Sequence, residues 1–310
     1  MICDFIKNTP NLKLLNYKTN EIYAKIEGVN PFGSVKDRSA YYAIKKLLDD
    51  SIINKNTTII ESTSGNMGVA LAGVCKLFGL KFIAVIDPAI SPVNEFLIKS
   101  LGAETIKVVD SDENNSYLKA RLKKVKQIFS IYENIYWFNQ YGNPLIREAF
   151  KNTLGEEIVR DNPNMDYLFM AVSSLGTITG VSERVKEFNS NIKVVAVDIL
   201  GSKIFDKNTK CHKHLSGIGS SIQTEHLAHC KLDDHILVDE ASSIAECKNL
   251  LFECGAFVGG SSGCVVSGIK KYIDEHNLKN KKIVCVFPDN GYKYLETIYN
   301  EKWYKENIEN

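Results

Sequence analysis

The sequence predicts an α/β protein built on parallel sheets. Short apolar, β-branched runs alternate with longer segments of helical spacing along the whole 310-residue chain. Such runs lack polar alternation, which is typical of strands that are buried on both faces. The composition, with 44% hydrophobic and 24% charged residues, is that of a globular chain. At ~150 residues per domain, the length fits two domains or one large domain with an insertion.

The predicted elements alternate regularly along the chain. Strands are predicted at residues 82–86, 167–172, 193–197 and 283–287, and helices at 66–77, 117–129 and 265–276. The segment 117–129 is amphipathic, because Leu118, Leu122 and Val125 share one side and lysines occupy much of the rest. The repeated order of strand, loop and helix predicts helices on both faces of each sheet. A turn cluster at residues 140–144 is the nearest approach to a domain boundary.

Charge and composition argue against several classes of partner. Lysine and arginine number 38 against 37 acidic residues, a net charge of +1, so neither nucleic acid nor an anionic membrane is an expected partner. No apolar run approaches the ~18 residues of a membrane span. The first residues lack the pattern of a signal peptide, and the eight cysteines form no CxxC pair. We therefore expect a cytoplasmic protein with reduced thiols.

A lysine follows a turn near the start of the chain, in Asn30-Pro31-Phe32-Gly33-Ser34-Val35-Lys36-Asp37-Arg38. The turn residues predict that a helix begins close to Lys36. A lysine in a first helical turn lies at the positive end of the helix dipole, which disfavours its protonated form. That environment suits an amine that forms a Schiff base. The alternative is an ordinary surface lysine at a helix start.

Two polar loops precede predicted helices. The first, Glu61-Ser62-Thr63-Ser64-Gly65-Asn66-Met67-Gly68, could direct backbone N–H groups and hydroxyls at an anion such as a carboxylate. Its alternative is a plain helix start that Asn66 caps. The second, Ser173-Ser174-Leu175-Gly176-Thr177, follows a predicted strand, where α/β folds often bind phosphate. The chain contains neither a Walker motif nor GxGxxG, so a nucleotide site lacks its signature.

Taken together with the turns at residues 259–263 and 288–295, these motifs resemble those of the fold-type II pyridoxal-phosphate (PLP) enzymes, the cysteine synthase family. The resemblance extends from about Thr9 to Leu295. It implies the tryptophan synthase β-like architecture, with two domains that contain parallel or mixed sheets. Residues 1–34 plus 143–310 would form the large PLP domain, and residues 35–142 a smaller mobile domain. It also implies PLP as cofactor and a homodimer.

The resemblance also implies roles for individual residues. Lys36 matches the Schiff-base lysine. The substrate carboxylate would be held by Thr63, Ser64, Gly65, Asn66 and Gln140, and Asn66 would also contact the ring hydroxyl of the cofactor. The phosphate loop matches Ser173, Ser174, Leu175, Gly176 and Thr177. Ser261 matches the serine that faces the pyridine nitrogen, where a neutral hydroxyl draws less charge into the ring than an aspartate would. That arrangement suits β-elimination and β-replacement.

One departure from the family pattern bears on the substrate. The usual phosphate loop is a Gly-Thr-Gly-Gly-Thr sequence, whereas residues 173–177 have fewer glycines and more hydroxyls. This chain more closely resembles the branch that makes N-(2-amino-2-carboxyethyl)-L-glutamate on the route to 2,3-diaminopropionate and the siderophore staphyloferrin B. There the matches to the glutamate site are Arg121, Tyr141 and Ser173 or Ser174. The alternative for Arg121 is a solvated basic helix face shared with neighbouring lysines.

We therefore predict a PLP-dependent transferase or lyase that joins O-phospho-L-serine and L-glutamate through an α-aminoacrylate. The alternative is a cysteine synthase or cysteine lyase that consumes or produces hydrogen sulfide. The lyase needs a base to activate water, and the residues after Gly219 offer no carboxylate before Glu225. Histidines clustered with Cys211 and Cys230 match no known zinc motif, so no metal is expected. The Asp87-Pro88 pair is interpreted as structural.

Overall fold

The computed structural model describes residues 5–111, 117–209 and 215–309. Its strands are β1 (Asn11–Tyr17), β2 (Asn20–Ile26), β3 (Thr58–Ser62), β4 (Lys81–Ile86), β5 (Glu104–Lys107), β6 (Ile135–Trp137), β7 (Tyr167–Ala171), β8 (Lys193–Ile199), β9 (Asp234–Val238) and β10 (Lys282–Phe287). Its α-helices are α1 (Lys36–Asp49), α2 (Asn66–Phe78), α3 (Pro92–Ser100), α4 (Tyr117–Phe129), α5 (Pro144–Phe150), α6 (Glu156–Asp161), α7 (Gly176–Phe188), α8 (Glu240–Cys254), α9 (Gly260–His276) and α10 (Glu301–Asn307).

These strands form two sheets. The larger has the order β1-β2-β10-β7-β8-β9 and the smaller β5-β4-β3-β6. All pairings are parallel except the β1–β2 hairpin, which is antiparallel. The predicted α/β class is therefore confirmed, with one mixed and one parallel sheet. The strands of the smaller sheet all lie between Thr58 and Trp137. The division into a mobile domain at residues 35–142 stays a prediction.

Two helix starts differ from the sequence-based expectation. Helix α9 begins at Gly260 instead of residue 265. The glycine and serine residues that are predicted to form a loop therefore make the first turn of this helix. Helix α2 begins at Asn66, and its N-cap residue is Gly65, which makes no side-chain cap hydrogen bond. Asn66 therefore does not cap the helix, and the interpretation of it as an ordinary cap is wrong.

The two sheets share a hydrophobic core. Ile59 and Ile86 of the smaller sheet belong to the same buried cluster as Leu168 and Val194 of the larger one. Helix α2 is buried along most of its length because it packs between the smaller sheet and α1. The carboxyl ends of β3, β7 and β10 consequently border one cavity, and that edge of a parallel sheet is where α/β proteins bind ligands.

Within the described part of the chain, no helix combines the length and the apolar character that crossing a membrane requires.

Candidate active site

The cavity between the sheets has a volume of about 400 Å³, within the usual range for small-molecule sites. Residues predicted as site members line it: Lys36, Thr63, Ser64, Gly65, Asn66, Arg121, Gln140, Tyr141, Ser173, Ser174, Leu175, Thr177 and Ser261. Gly176 instead lies behind the loop, where an added Cβ would approach Cγ2 of Ile146 to 2.7 Å. The structure thus brings together residues that are more than 200 positions apart in the sequence.

Lys36 is the first residue of α1, and its ammonium group is buried in the cavity. Its Nζ donates to Oγ1 of Thr177 at 3.2 Å. Burial lowers the pKa of Lys36 to about 8, while the charge of Asp289 acts in the opposite direction. The sequence analysis predicts a lowered pKa for Lys36 from the helix dipole, but the largest cause in the structure is burial. A lysine with this pKa is an effective nucleophile for a Schiff base.

The start of α1 is anchored by buried ion pairs. Arg38, the third residue of α1, pairs with Glu27 at 2.6 Å and with Glu157 at 2.7 Å. The backbone N–H of Val35 donates to the carbonyl of Pro288 at 2.8 Å. These contacts fix the position of the helix start on the larger sheet, so the Lys36 side chain is projected into the cavity from a rigid base.

The predicted carboxylate loop follows β3. Thr63 Oγ1 accepts from the N–H of Gly68 at 2.9 Å and so satisfies a donor in the first turn of α2. The Asn66 side chain is thereby left to other partners, and its Nδ2 donates to Oδ2 of Asp289 at 2.7 Å. Apart from its chain neighbours, no described residue lies within 4 Å of an added Cβ at Gly65, and Gly65 lines the cavity, so the loop has open space there.

The predicted phosphate loop adopts a left-handed turn. Leu175 has φ +66°, although only glycine takes this conformation without a cost of roughly 1–2 kcal/mol. Burial of its side chain in the core offsets that strain. Hydrogen bonds of 3.0 Å, from Ser173 Oγ to the Gly219 carbonyl and from Thr224 Oγ1 to the Ser174 carbonyl, hold the loop. Thr177 and Ile178, in the first turn of α7, line the cavity, and a helix N-terminus at a cavity can bind phosphate.

Arg121 reaches the cavity from α4. Its side chain is buried, Nε lies 3.0 Å from Oδ2 of Asp87, and Nη1 donates to Oγ of Ser64 at 3.0 Å. The neighbouring Lys119, Lys123 and Lys126 are exposed. The alternative, in which Arg121 belongs to a solvated basic helix face, is therefore wrong for Arg121, although these three lysines do form such a face. The interpretation of Asp87 as purely structural is also incorrect, because Asp87 lines the cavity and orients this guanidinium.

Buried groups hold Gln140 at the cavity, next to Tyr141. Glu61 Oε2 accepts from the N–H of Gln140 at 3.0 Å, and burial raises the pKa of Glu61 to about 8. Gln140 Nε2 donates to the Ser62 carbonyl at 2.9 Å. Burial also raises the pKa of Tyr141 to about 12, so its hydroxyl stays protonated and can donate. Burial lowers the pKa of His226, whose Nε2 lies 3.1 Å from the Gln140 carbonyl, to about 4.

Sequence reasoning missed the roles of residues after β10. Asp289 accepts from Asn66 and also from the Tyr294 hydroxyl at 2.7 Å. An added Cβ at Gly259 would lie 2.0 Å from Oδ1 of Asp289, so only glycine leaves room for this carboxylate. The available clue was the Pro288-Asp289 turn directly after a buried strand, at the edge where parallel strands present their ligands.

The cysteine and histidine cluster weighed as a zinc site falls partly outside the described residues, which exclude Cys211, His212 and His214. Cys230 packs against Thr179, with Sγ 2.8 Å from Oγ1, and burial raises the pKa of its thiol. Across residues 5–111, 117–209 and 215–309, no three His, Cys, Asp or Glu side chains form a metal-binding group.

The described cavity fits PLP. It offers a buried amine at Lys36 for the aldehyde and a hydroxyl-lined helix N-terminus at residues 173–177 for the phosphate. Ser261, in the first turn of α9, lies on the cavity wall and can face a pyridine nitrogen with a neutral hydroxyl. Fold and cavity together define a PLP-dependent enzyme of the fold-type II, tryptophan synthase β-like class.

Comparison with known proteins gives the family. The model of the pyridoxal-phosphate dependent enzyme family matches residues 2–289, and the chain belongs to this family. The chain is an enzyme of β-substitution or elimination, and the structures that resemble it include a cystathionine β-synthase and hydrogen sulfide-producing enzymes. The cofactor is therefore pyridoxal 5'-phosphate.

Solved structures match almost the whole chain. The O-acetylserine-dependent cystathionine β-synthase from Helicobacter pylori is 29% identical with a TM-score of 0.89, and the match covers 96% of this chain and 98% of that one. A hydrogen sulfide-producing enzyme from Fusobacterium nucleatum is 31% identical with a TM-score of 0.88, over 95% and 99% of the two chains. O-ureido-L-serine synthase is 25% identical with a TM-score of 0.89, over 97% and 93%.

Proposed function

We propose that this enzyme joins O-phospho-L-serine to L-glutamate and releases phosphate and N-(2-amino-2-carboxyethyl)-L-glutamate, on the route to 2,3-diaminopropionate. The glutamate amine forms a bond to the β-carbon of the serine unit, and the bond from that carbon to the phosphate oxygen breaks. The observation that carries the proposal is Arg121, which α4 buries at the cavity beside Ser64. It supplies a second anion-binding group in addition to the carboxylate loop.

The first substrate fits the loop that follows β3. Hydroxyls of Thr63 and Ser64 and the carboxamide of Gln140 line this part of the cavity and can bind an amino-acid carboxylate. The buried Lys36 amine is placed to remove the α-proton and to return it after the new bond forms. PLP, when bound, supplies the electron sink that makes this proton acidic.

Arg121 is proposed to bind the second substrate, the amino-acid acceptor. A guanidinium binds a carboxylate through two parallel N–H groups, a geometry that lysine lacks. Its Nη1 donates to Ser64, its Nε lies 3.0 Å from Asp87 without donating a hydrogen bond, and Nη2 carries two further donors. An amino-acid acceptor has a carboxylate that such a group can orient. Sulfide has none, so a buried arginine beside the substrate loop favours an amino-acid acceptor.

The hydrogen sulfide-producing alternative finds less support in the cavity. Among the described residues, the carboxylates on its wall are Asp87, which pairs with Arg121, and Asp289, which accepts from Asn66 and Tyr294. The wall at residues 216–221 offers serine hydroxyls, and Glu225 is exposed and outside it. A lyase that adds water needs a general base near the β-carbon, and these residues do not provide one.

The test is a product assay with a matched pair of variants. The purified enzyme is incubated with O-phospho-L-serine or O-acetyl-L-serine and with L-glutamate, L-homocysteine or sulfide, and the products are identified by mass spectrometry. We expect the glutamate adduct with O-phospho-L-serine. Arg121→Ala is expected to raise the KM for glutamate at least about tenfold, the loss of one charge-assisted contact. Lys123→Ala, an exposed change on the same helix, is expected to have no effect.

Phosphate release without an acceptor separates the two possible roles of Arg121. If the single-turnover release of phosphate from O-phospho-L-serine is unchanged in Arg121→Ala, the arginine acts on the acceptor as proposed. If that release is lost, Arg121 binds the phosphate of the first substrate instead. Formation of cysteine from sulfide, with no adduct from glutamate, would refute the proposed reaction.

A further inference from the structure

The side chain of Asn66 lies between a cation and an anion. Lys293 Nζ donates to Oδ1 of Asn66, and Nδ2 of Asn66 donates to Oδ2 of Asp289 at 2.7 Å. Tyr294 donates to the same carboxylate oxygen, also at 2.7 Å. Lys293 and Tyr294 belong to a 3₁₀ turn at Gly291–Tyr294 that follows β10. Asn66 is therefore held from the larger sheet although it begins a helix of the smaller one.

These two neighbours determine which way the amide points. An ammonium group can only donate, so the oxygen of Asn66 must face Lys293. A carboxylate accepts, so the nitrogen must face Asp289. The Nδ2 group carries two hydrogens and uses one on Asp289, which leaves the other for a ligand. Because Asn66 lines the cavity that holds Lys36, this hydrogen is available to the cofactor.

We propose that Lys293 is a positioning residue that fixes Asn66 as a donor to the ring hydroxyl of bound PLP and favours the ionised form of that hydroxyl. Lys293 itself does not line the cavity, so it acts through the amide between them. The positive charge polarises the amide, and a chain of hydrogen bonds transmits that polarisation. The proposal takes the position of Asn66 at the ring hydroxyl from the family resemblance and is independent of which acceptor the enzyme uses.

Several charged groups surround this chain of hydrogen bonds. Lys36 and Asp37 face it from α1, and Asp289 and Tyr294 from the segment after β10. Burial lowers the pKa of Lys293, and the charges of Asp289 and Asp37 raise it. Burial raises the pKa of Asp289, whereas the hydrogen bond from Asn66 and the charge of Lys293 lower it. Burial also raises the pKa of Asp37 to about 7. Lys293 is thus a cation that faces both acids, and Lys36 is a second cation that faces Asp289.

The experiment follows the absorption of the bound cofactor with no substrate present. Lys293→Met and Lys293→Gln remove the charge, Lys293→Arg retains it, and Lys302→Met alters an exposed lysine of α10. In the Met and Gln variants we expect the ratio of the ionised to the neutral ring-hydroxyl form to fall about tenfold, the effect of losing one nearby charge. We also expect about tenfold weaker PLP binding. Lys293→Arg should keep the parental spectrum, as should Lys302→Met.

Asn66→Ala separates the two parts of the proposal. If this variant leaves the spectrum unchanged, Asn66 does not contact the ring hydroxyl, and the role of Lys293 is refuted with it. If Asn66→Ala changes the spectrum while Lys293→Met and Lys293→Gln do not, Lys293 has no positioning role. Neither result bears on the glutamate adduct, which the product assay tests separately. Near-ultraviolet circular dichroism verifies that each variant is folded.

Discussion

Two clusters of charged and polar side chains flank the start of α1, and they differ in how completely their charges are paired. The anchoring cluster consists of Lys25, Glu27, Arg38, Glu157 and Asp161. The site cluster consists of Lys36, Asn66, Asp289, Lys293 and Tyr294. Both take charges out of water, which is costly unless each charge finds a partner.

The anchoring cluster is thoroughly paired. Arg38 uses Nε, Nη1 and Nη2 on Glu27 and Glu157, and Lys25 contacts Glu157 at 2.9 Å. Burial alone would raise the pKa of Glu157, but the hydrogen bonds and charges of Arg38 and Lys25 lower it to about 2. This carboxyl remains ionised throughout the physiological range and serves to hold α1.

The site cluster is incompletely paired. Oδ1 of Asp289 is buried and accepts no hydrogen bond from the described residues. Burial raises the pKa of Asp289 and lowers that of Lys36 to about 8. Groups with such shifted pKa values, gathered in a cavity, are typical of reactive sites. Complete pairing of the anchoring cluster therefore fixes the position of α1, whereas incomplete pairing in the site cluster keeps its groups reactive.

The largest effect is expected from a substitution that breaks the anchoring cluster. Arg38→Met should lower the free energy of unfolding by about 3–5 kcal/mol, because Glu27 would be left buried without its cationic partner and Glu157 would keep Lys25 alone. Urea unfolding of the parent and the variant measures it. A loss below about 1 kcal/mol, the size expected of an exposed pair, would contradict the assigned anchoring role.

A smaller effect is expected from neutralising the site cluster. Asp289→Asn keeps the shape of the side chain and removes the charge that raises the pKa of Lys36. The pKa of Lys36, about 8 in the parent, should then fall by about one unit. Only the free amine attacks the cofactor, so the rate of PLP uptake by the apoenzyme rises with pH through this pKa. The midpoint of that rate profile should move to lower pH in the variant.

An unchanged midpoint would mean that Asp289 is already protonated beside Lys36, and the contrast between the clusters would then lose its electrostatic basis. Asp274→Asn is the matched control, because Asp274 pairs with Lys18 at the surface and does not line the cavity.

The smallest effect is expected at the edge of the anchoring cluster. Arg160 pairs with Asp161 at 2.8 Å, but its side chain is 58% exposed. Arg160→Ala should change the free energy of unfolding by less than about 1 kcal/mol, because water screens an exposed pair. The same urea titration measures it. A loss as large as that of Arg38→Met would show that pairing within the cluster, instead of burial, determines its contribution.

Much of the site could be predicted because its residues occur in short, continuous motifs. Lys36, the loop at residues 63–66 and the loop at residues 173–177 each follow a turn or a strand and precede a helix, and that local order is visible in the sequence. The sequence does not distinguish Arg121 from the lysines of the same helix, because only packing shows that the arginine is buried and most of those lysines are exposed. The specific roles assigned by the resemblance stay predictions.

By itself the sequence determined the α/β class, the alternation of strands and helices and the motifs for PLP, because these depend on hydrophobic periodicity and on residues close together in the chain. The tertiary structure decided what depends on distant partners. It placed Asp289 against Asn66 and Gly259, Asp87 against Arg121, and Lys36 in a buried cavity. Burial and charge pairing across the two sheets set the pKa values there, and neither can be read from local sequence.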